Sequence, residues 1–293
     1  MSVILDGKVL AAKLKEDLSK EVSSLKQLHH RVPRIVSISF GQNAASQSYI
    51  TSQQKTAESL GIHYVLQVLQ DSLSQSEAVK VIEKINSDNE VQGIIINKPL
   101  PASLDFSVLI NAIASSKDIE GMNLANLGML LMNKTYLWPC TPAAALSLLK
   151  SSGISLEGKT AVVLGRSEIV GKPMALLLLG ENMTVTVCHS KTADLQGHLK
   201  QADVVIAAVG KPLFVKGDWI KPGAVVVDVG INQVDGKIVG DVDFQSVKDK
   251  AGYISPVPGG VGPVTSVMLM KNAVETFKQQ VGVPPWRDSY RKT

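Results

Sequence analysis

Two stretches of this chain repeat one rhythm, a short apolar run rich in β-branched residues followed by a helical segment. That rhythm constrains the fold more than any other feature. In the first half RIVSISF (34–40), HYVLQVL (63–69) and VQGIII (91–96) read as strands. About Ser46 to Leu60, stopped by Gly61, and Glu77 to Asn86 read as the helices between them. In the second half strands are expected at Thr160–Leu164, Thr184–Cys188, Asp203–Val209 and Ala224–Val229, with a helix at about Pro173–Leu179. Strands separated by helical crossovers pair in parallel, so the expected class is α/β, with parallel sheets covered by helices. A helix over 8–28 precedes the first strand. Thr141-Pro142 reads as an N-cap followed by a first-turn proline, opening a helix to about Lys150. A helix from about Thr265 to Gln280 closes the pattern, and the tail GVPPWRDSYRKT reads as an arm or frayed end. The length, 293 residues, accommodates two domains or one large one.

Composition narrows the chemistry. Thirty Lys+Arg against 26 Asp+Glu leave a net charge of +4, too small and too dispersed for a nucleic-acid footprint. The longest apolar runs, such as Met174–Leu179, fall far short of the ~20 residues that a membrane helix needs. The first residues, MSVILDGKVL, lack the basic-then-apolar pattern of a secretion signal. The two cysteines (Cys140, Cys188) and five histidines (His29, His30, His63, His189, His198) include no pair at metal-ligand spacing. A soluble protein of a reducing compartment is expected, with no structural zinc and no disulfide framework. Any catalysis must come from other groups.

The most informative local segment is Val163-Leu-Gly-Arg-Ser-Glu-Ile-Val-Gly-Lys-Pro-Met174, between a strand-like and a helix-like run. A glycine turn there places a phosphate at a helix N-terminus, Gly165 making the turn and Gly171 allowing backbone to approach a ligand. The spacing is G-x₅-G rather than G-x-G-x-x-G. Arg166 suits a 2′-phosphate. The next strand ends in Cys188-His-Ser-Lys-Thr192, with no acid before Asp194, where an NAD site would hold the ribose; Ser190 and Lys191 stand there instead. These features favour NADP. Further on, Ser255-Pro-Val-Pro-Gly-Gly-Val-Gly-Pro-Val-Thr265 carries three glycines and three prolines, a density that points to a ligand-contacting loop at Pro258, Gly259, Gly260 and Val261.

Taken together, these segments resemble the bifunctional methylenetetrahydrofolate dehydrogenase/methenyltetrahydrofolate cyclohydrolase family from about Ile4 to Phe277. The resemblance rests on DGK (Asp6–Lys8), ASxSY (Ala45–Tyr49), GIII-x-x-PLP (Gly93–Pro101), KDxxG (Lys117–Gly121) and PCTP (Pro139–Pro142). It rests further on GRSxIVGKP (Gly165–Pro173), HSKT (His189–Thr192), DVGIN (Asp228–Asn232), VGDVDF (Val239–Phe244) and PVPGGVGPVT (Pro256–Thr265). It implies an N-terminal α/β folate-site domain, a Rossmann-like dinucleotide-binding domain and a deep cleft between them. The folate domain would comprise 1–140 plus the C-terminal helix, about 265–293, and the dinucleotide domain 141–264. It also implies a cytoplasmic, metal-free homodimer that oxidises 5,10-methylenetetrahydrofolate with NADP⁺ and hydrolyses the methenyl product to 10-formyltetrahydrofolate. Cofactor contacts would fall to Gly165, Arg166, Ser167, Ser190 and Ile231.

The resemblance breaks at the folate site. The family pattern has a tyrosine and lysine in Y-x-x-x-K, the glutamine of V-Q-x-P, and the second aspartate of K-D-x-D-G. Here these are Tyr49, Gln53, Asn97 and Glu120. Tyr49 and Gln53 are four apart and share a helix face, whereas Lys55, about 200° around from Gln53, points elsewhere. A glutamine amide cannot titrate near neutrality. The cyclohydrolase step, which the resemblance assigns to the lysine, is therefore expected weak or absent, while hydride transfer survives. Lys98, beside Asn97, offers a substitute cation. Two other outcomes stay open at this point: a folate- and NADP-binding paralogue without catalysis, and a dehydrogenase for a different pterin carrier.

Overall fold

The computed structural model describes residues 2–41 and 44–283, the side chains of 44–46 and 48 excepted; the Pro-rich tail from 284 onward lies outside the described residues. In chain order the elements begin with β1 (Val3–Ile4), α1 (Gly7–His29), β2 (Arg34–Phe40), α2 (Ala44–Ser59), β3 (His63–Leu69) and α3 (Gln75–Asn86). Next come β4 (Gly93–Ile96), α4 (Phe106–Ala112), α5 (Leu124–Leu131), α6 (Cys140–Lys150), β5 (Thr160–Leu164), α7 (Gly171–Gly180) and β6 (Thr184–Cys188). The chain finishes with α8 (Leu195–Gln201), β7 (Val204–Ala207), β8 (Val225–Asp228), β9 (Asn232–Val234), β10 (Lys237–Val239), α9 (Phe244–Val247), β11 (Tyr253–Ile254) and α10 (Val261–Gln280). It divides into two units. One comprises Leu14–Trp138 and the chain from Leu269 on; the other comprises the residues up to Lys13 and Pro139–Met268.

The unit holding Leu14–Trp138 is built on a three-stranded parallel sheet, order β3-β2-β4. Central β2 is covered on both faces, as the near-continuous apolar run predicts, yet it also buries two hydroxyls, Ser37 and Ser39. Buried hydroxyls need partners, and Ser37 finds one at the candidate site. Helix α3 opens with a capping box: the Ser74 hydroxyl accepts from Glu77 N, and the Glu77 carboxylate accepts from Ser74 N. Its buried stripe, Ala78, Ile82 and Ile85, packs with Val36, Ile38, Ile94 and Leu109. The far end of α3 is held by Lys117, a residue only 5% exposed, whose ammonium donates to the carbonyls of Ile85, Asn86 and Asp88 at 3.2, 2.6 and 2.6 Å. A cation satisfying the last carbonyls of a helix completes it both by hydrogen bonding and against the helix dipole.

The other unit is a six-stranded parallel sheet, order β1-β11-β8-β7-β5-β6, with β9 and β10 forming a separate antiparallel hairpin. Its strands β5, β7 and β8 are almost wholly buried, packing Val162, Leu164, Val205, Ala207 and Val226 into one core. The edge strand β1 comes from the start of the chain. Val3 N and Leu5 N donate to the carbonyls of Gly252 and Ile254, and the Ser2 hydroxyl donates to those of Lys248 and Ala251. The first residues thus join this sheet, whereas the sequence reading put 1–140 in the other domain.

Two helix starts also differ from expectation. Helix α6 opens at Cys140, not after a Thr141 cap: the Pro139 carbonyl already accepts from Ala143 N, so Thr141 lies within the first turn. Helix α10 begins at Val261, four residues before Thr265. Pro263 is then its third residue, where the N–H that proline lacks has no intrahelical partner to lose.

Replacing Lys117 with methionine keeps the stem and strips the three charge-assisted bonds from the end of α3. It is expected to lower stability by about 2–3 kcal/mol, read as a fall in the urea midpoint at unchanged m-value.

Candidate active site

In both parallel sheets the loops that follow the strands gather at the carboxyl ends, where α/β proteins bind ligands. In the first unit the chain leaves β2 into α2, which carries Tyr49 and Gln53, and leaves β4 directly into Asn97. Gln53 is fully buried and Tyr49, one turn earlier, is 46% exposed; Lys55 is exposed, as its helix position requires. Gln53 is bound from an unexpected direction. The Tyr64 hydroxyl, from β3, donates to Gln53 Oε1 at 2.8 Å, and Gln53 Nε2 is buried without a hydrogen-bond partner. Tyr64 in turn accepts from the Ser37 hydroxyl; burial pushes its phenol up to about 12 against that bond. Ser37 Oγ accepts from Asn97 Nδ2 at 2.6 Å, and the same nitrogen donates to the Ile38 carbonyl at 2.9 Å. The Asn97 Oδ1 atom is buried and unpartnered. Residues 53 and 97, far apart in sequence, are thus the two ends of one hydrogen-bonded chain.

Glu120 reaches the same strand end from the opposite edge of β4. A bridge between Ile94 and Asp118 lays that segment along β4, and the Ile96 N–H donates to the Glu120 carboxylate. Its Oε2 is buried without a hydrogen-bond partner. Burial, with Asp118 nearby, pushes the carboxyl up to about 7, opposed by the Ile96 N–H and by Lys98. The Lys98 ammonium lies 3.7 Å from the centre of the Phe106 ring, so a cation does stand beside this carboxylate, held on an aromatic face. The KDxxG motif is divided in its work. Lys117 caps α3, the buried Asp118 accepts from Asn123 N and Asn126 Nδ2 through Oδ2, and Asp118 Oδ1 and Glu120 Oε2 are both buried without a hydrogen-bond partner.

In the second unit Gly165 N donates to the Cys188 carbonyl at 2.9 Å, which ties the turn after β5 to the turn after β6. Gly165 has φ 126°, and a Cβ there would run into the Ala208 carbonyl. A Cβ on Gly171 would strike the Gly165 carbonyl, so the turn itself demands this second glycine, ahead of any ligand approach. The Ser167 hydroxyl accepts from Val170 N and Gly171 N at the start of the ten-residue α7. Arg166, Ser190 and Lys191 are all exposed on these two joined turns. The first acid after β6, Asp194, is spent as the N-cap of α8, accepting from Gly197 N, and Glu168, in the turn after β5, pairs with Lys172 at 3.4 Å. The donor set suits a phosphate, and the end of β6 holds no carboxylate for a ribose diol.

The loops after β7 and β8 are organised by two aspartates of the DVGIN and VGDVDF motifs. The Asp241 carboxylate accepts from Val209 N, Gly210 N, Lys211 N and Asn232 Nδ2 at 2.6 to 2.9 Å. Asp228 accepts from Gly230 N, Asp241 N and Val242 N; burial pushes it up to about 6, with those bonds opposing and the Asp241 charge adding to the rise. This bracing leaves Ile231 71% exposed. The glycine loop (Pro258, Gly259, Gly260, Val261) is clasped by the DGK motif. Gly7 N donates to the Gly259 carbonyl, a Cβ on Gly7 would strike the Gly260 carbonyl, and Asp6 caps α1 through Lys8 N and Val9 N.

The structure therefore brings Gln53, Asn97 and Glu120 to one strand end, with Tyr49 a turn away on α2, and Arg166, Ser167 and Ser190 to another. Sequence reasoning missed Tyr64, Ser37 and the bracing role of Asp228 and Asp241. A polar residue in a buried central strand was a signal for Ser37; nothing in the pattern marked Tyr64. Among the described residues no group of three or more His, Cys, Asp or Glu could hold a metal, and no helix is long and apolar enough to cross a membrane.

Residues 5–120 match the family model described as the tetrahydrofolate dehydrogenase/cyclohydrolase catalytic domain, and residues 139–281 match the NAD(P)-binding domain of the same family. The chain is 48% identical over 285 residues to a bifunctional protein FolD from Wolbachia sp. subsp. Drosophila simulans, covering 97% of this chain and 98% of the relative. Among solved structures it resembles the bifunctional FolD methylenetetrahydrofolate dehydrogenase/cyclohydrolase of Campylobacter jejuni. That match has a TM-score of 0.93 at 43% identity, over 96% of this chain and 100% of the other. It also resembles the Trypanosoma brucei enzyme complexed with NADP cofactor and inhibitor, with a TM-score of 0.90 at 36% identity over 96% and 98% of the two chains.

A carboxyl whose folded pKa lies above its unfolded value stabilises the fold most at low pH, and that contribution is lost as pH rises through the folded pKa. For Glu120 the window runs from 4.5 to about 7. Glu120→Gln is therefore expected to match the wild type in stability at about pH 4 and to exceed it at about pH 8, in urea titrations at the two values. Asp241→Asn, which sets an NH₂ group against backbone N–H donors, is expected to cost about 2–4 kcal/mol and to lower the melting temperature.

Proposed function

The chain belongs to the tetrahydrofolate dehydrogenase/cyclohydrolase family, and from that membership we propose that it oxidises 5,10-methylenetetrahydrofolate with NADP⁺ but hydrolyses the methenyl product weakly or not at all. The observation that carries this reading is Gln53, a buried neutral amide bonded to Tyr64 where the family pattern has a lysine. When bound, NADP⁺ supplies the hydride acceptor. Arg166, Ser190 and Lys191 suit its 2′-phosphate, and Ser167 the start of α7, while Ile231 offers an exposed apolar face to the nicotinamide end.

The two steps ask different things of the residues. Hydride departure from the methylene bridge carbon leaves a methenyl cation and moves no proton through the site, so it needs alignment above all. Gln53, Asn97 and Glu120 provide a donor, an acceptor and a carboxyl for gripping a pterin, with Tyr49 on the same face of α2. Hydrolysis adds water oxygen to the bridge carbon, breaks one carbon–nitrogen bond and requires a proton to be taken up and released. General acid–base help with such a step is worth about 10²–10⁴-fold, and an amide cannot give it. Glu120 accepts from the Ile96 N–H and keeps only Oε2 unpaired, for gripping the pterin, and Lys98 is stacked on Phe106. The reading includes a homodimer in the cytoplasm, both resting on the family resemblance.

A two-step spectrophotometric assay follows the methenyl chromophore and reduced cofactor together. The wild type is expected to accumulate the methenyl compound, decaying no faster than in buffer, and Gln53→Lys to speed its decay by about 10-fold or more. Rapid onward hydrolysis by the wild-type protein would overturn the assignment of the defect to position 53. Binding of NADP⁺ and substrate without turnover would replace it with a silent paralogue, and turnover confined to other pterins with a different carrier.

A further inference from the structure

The hydrogen-bonded chain from Asn97 to Gln53 has a direction, and a single backbone atom sets it. A carbonyl oxygen only accepts, so the Ile38 carbonyl, 2.9 Å from the Asn97 side-chain amide, must face its nitrogen. Asn97 Oδ1 is then the atom left facing away, buried and unpartnered. The other hydrogen of that nitrogen goes to Ser37 Oγ, so the Ser37 proton is free to go to the Tyr64 oxygen. The Tyr64 proton goes to Gln53 Oε1, and Gln53 is left presenting Nε2, likewise buried and unpartnered. Turning the Gln53 amide over would put two donors on the phenol oxygen and leave the phenol proton with no acceptor in a buried place, a costly arrangement.

We propose that Tyr64 is a positioning residue for substrate: its hydroxyl locks Gln53 as a one-way donor, just as the Ile38 carbonyl locks Asn97 as a one-way acceptor. The pair then selects a planar heterocycle edge that carries a hydrogen-bond acceptor toward residue 53 and an N–H donor toward residue 97. An oxopterin has both, with a ring carbonyl beside an N–H. Gln53 thus keeps a fixed donor where a titrating cation is missing, and Tyr64 is what keeps it fixed. This assignment rests on the folate reading given above.

The test is the single-oxygen change Tyr64→Phe, studied in the full-length protein by calorimetry with tetrahydrofolate and by dehydrogenase kinetics. With the amide free to turn, affinity for tetrahydrofolate is expected to fall about 10-fold. The KM for 5,10-methylenetetrahydrofolate should rise to match, with kcat within about 2-fold, because the lost contact holds substrate and transition state alike. In a Gln53→Leu background the same Tyr64→Phe change should do nothing further, since Tyr64 acts only through the amide. Ser37→Ala breaks the chain one link away and should move KM in the same direction, giving a second reading if Tyr64→Phe does not fold. Unchanged affinity in Tyr64→Phe, or an equal loss with leucine at 53, overturns the proposal and leaves the dehydrogenase reading intact. Weakened tetrahydrofolate binding in a protein that shows no turnover supports the positioning role and removes the dehydrogenase reading. Absence of tetrahydrofolate binding by the wild type overturns both.

Discussion

Parallel pairing is the constraint from which the rest of this structure follows. A parallel strand must be re-entered from the same end, so every loop leaving a strand opens at one edge of its sheet. In the smaller sheet that edge collects α2, the residue after β4 and the segment that flanks β4, and so links residues 53 and 97 in one hydrogen-bonded chain and sets Glu120 against the last residue of β4. In the larger sheet it collects the turns after β5, β6, β7 and β8, which are joined by the bond from Gly165 to the Cys188 carbonyl and by the four donors on Asp241. No long-range recognition between distant segments has to be invented for either arrangement. The sheet register supplies it.

The fold was legible because its signals are local. Apolar runs and glycine stops each act over a few residues, and β2, β3, β5 and β6 begin and end where the pattern puts them. Less legible were features that depend on partners distant in sequence. The two-residue β1 has too little pattern to be read, and its place beside β11 is decided by main-chain bonds. Thr141 has the right chemistry for a cap but loses to the Pro139 carbonyl, which makes the first helical bond. At the site, residue identities named Gln53, Asn97 and Glu120, because a motif gives positions. Motifs do not give hydrogen-bond direction, so Tyr64 was invisible until Gln53 Oε1 was seen to be engaged.

The glycines make a related point. Gly171, in the turn after β5, reads from sequence as room for a ligand. Structurally, Gly165, Gly171 and Gly7 are each required by a neighbouring carbonyl of the protein itself. The shape a ligand meets is therefore set before it arrives, by main chain packed on main chain. Such shape is harder to lose by drift than a contact made by one long side chain.

The strand β1 has a consequence for how the molecule comes into being. Ser2 is bound to Lys248 and Ala251, and Val3 to Gly252, so this segment waits for partners some 250 residues later. The unit built around Leu14–Trp138 also waits, since it includes the chain from Leu269 onward. Neither half can finish on the ribosome as an independent body. Their contacts are of high order in sequence, the kind that fold slowly and leave an unpaired sheet edge open meanwhile. Assembly of both halves is thus made simultaneous by the chain's own routing, and a nascent chain still lacking α10 is a different and stickier object than a shorter version of the folded one.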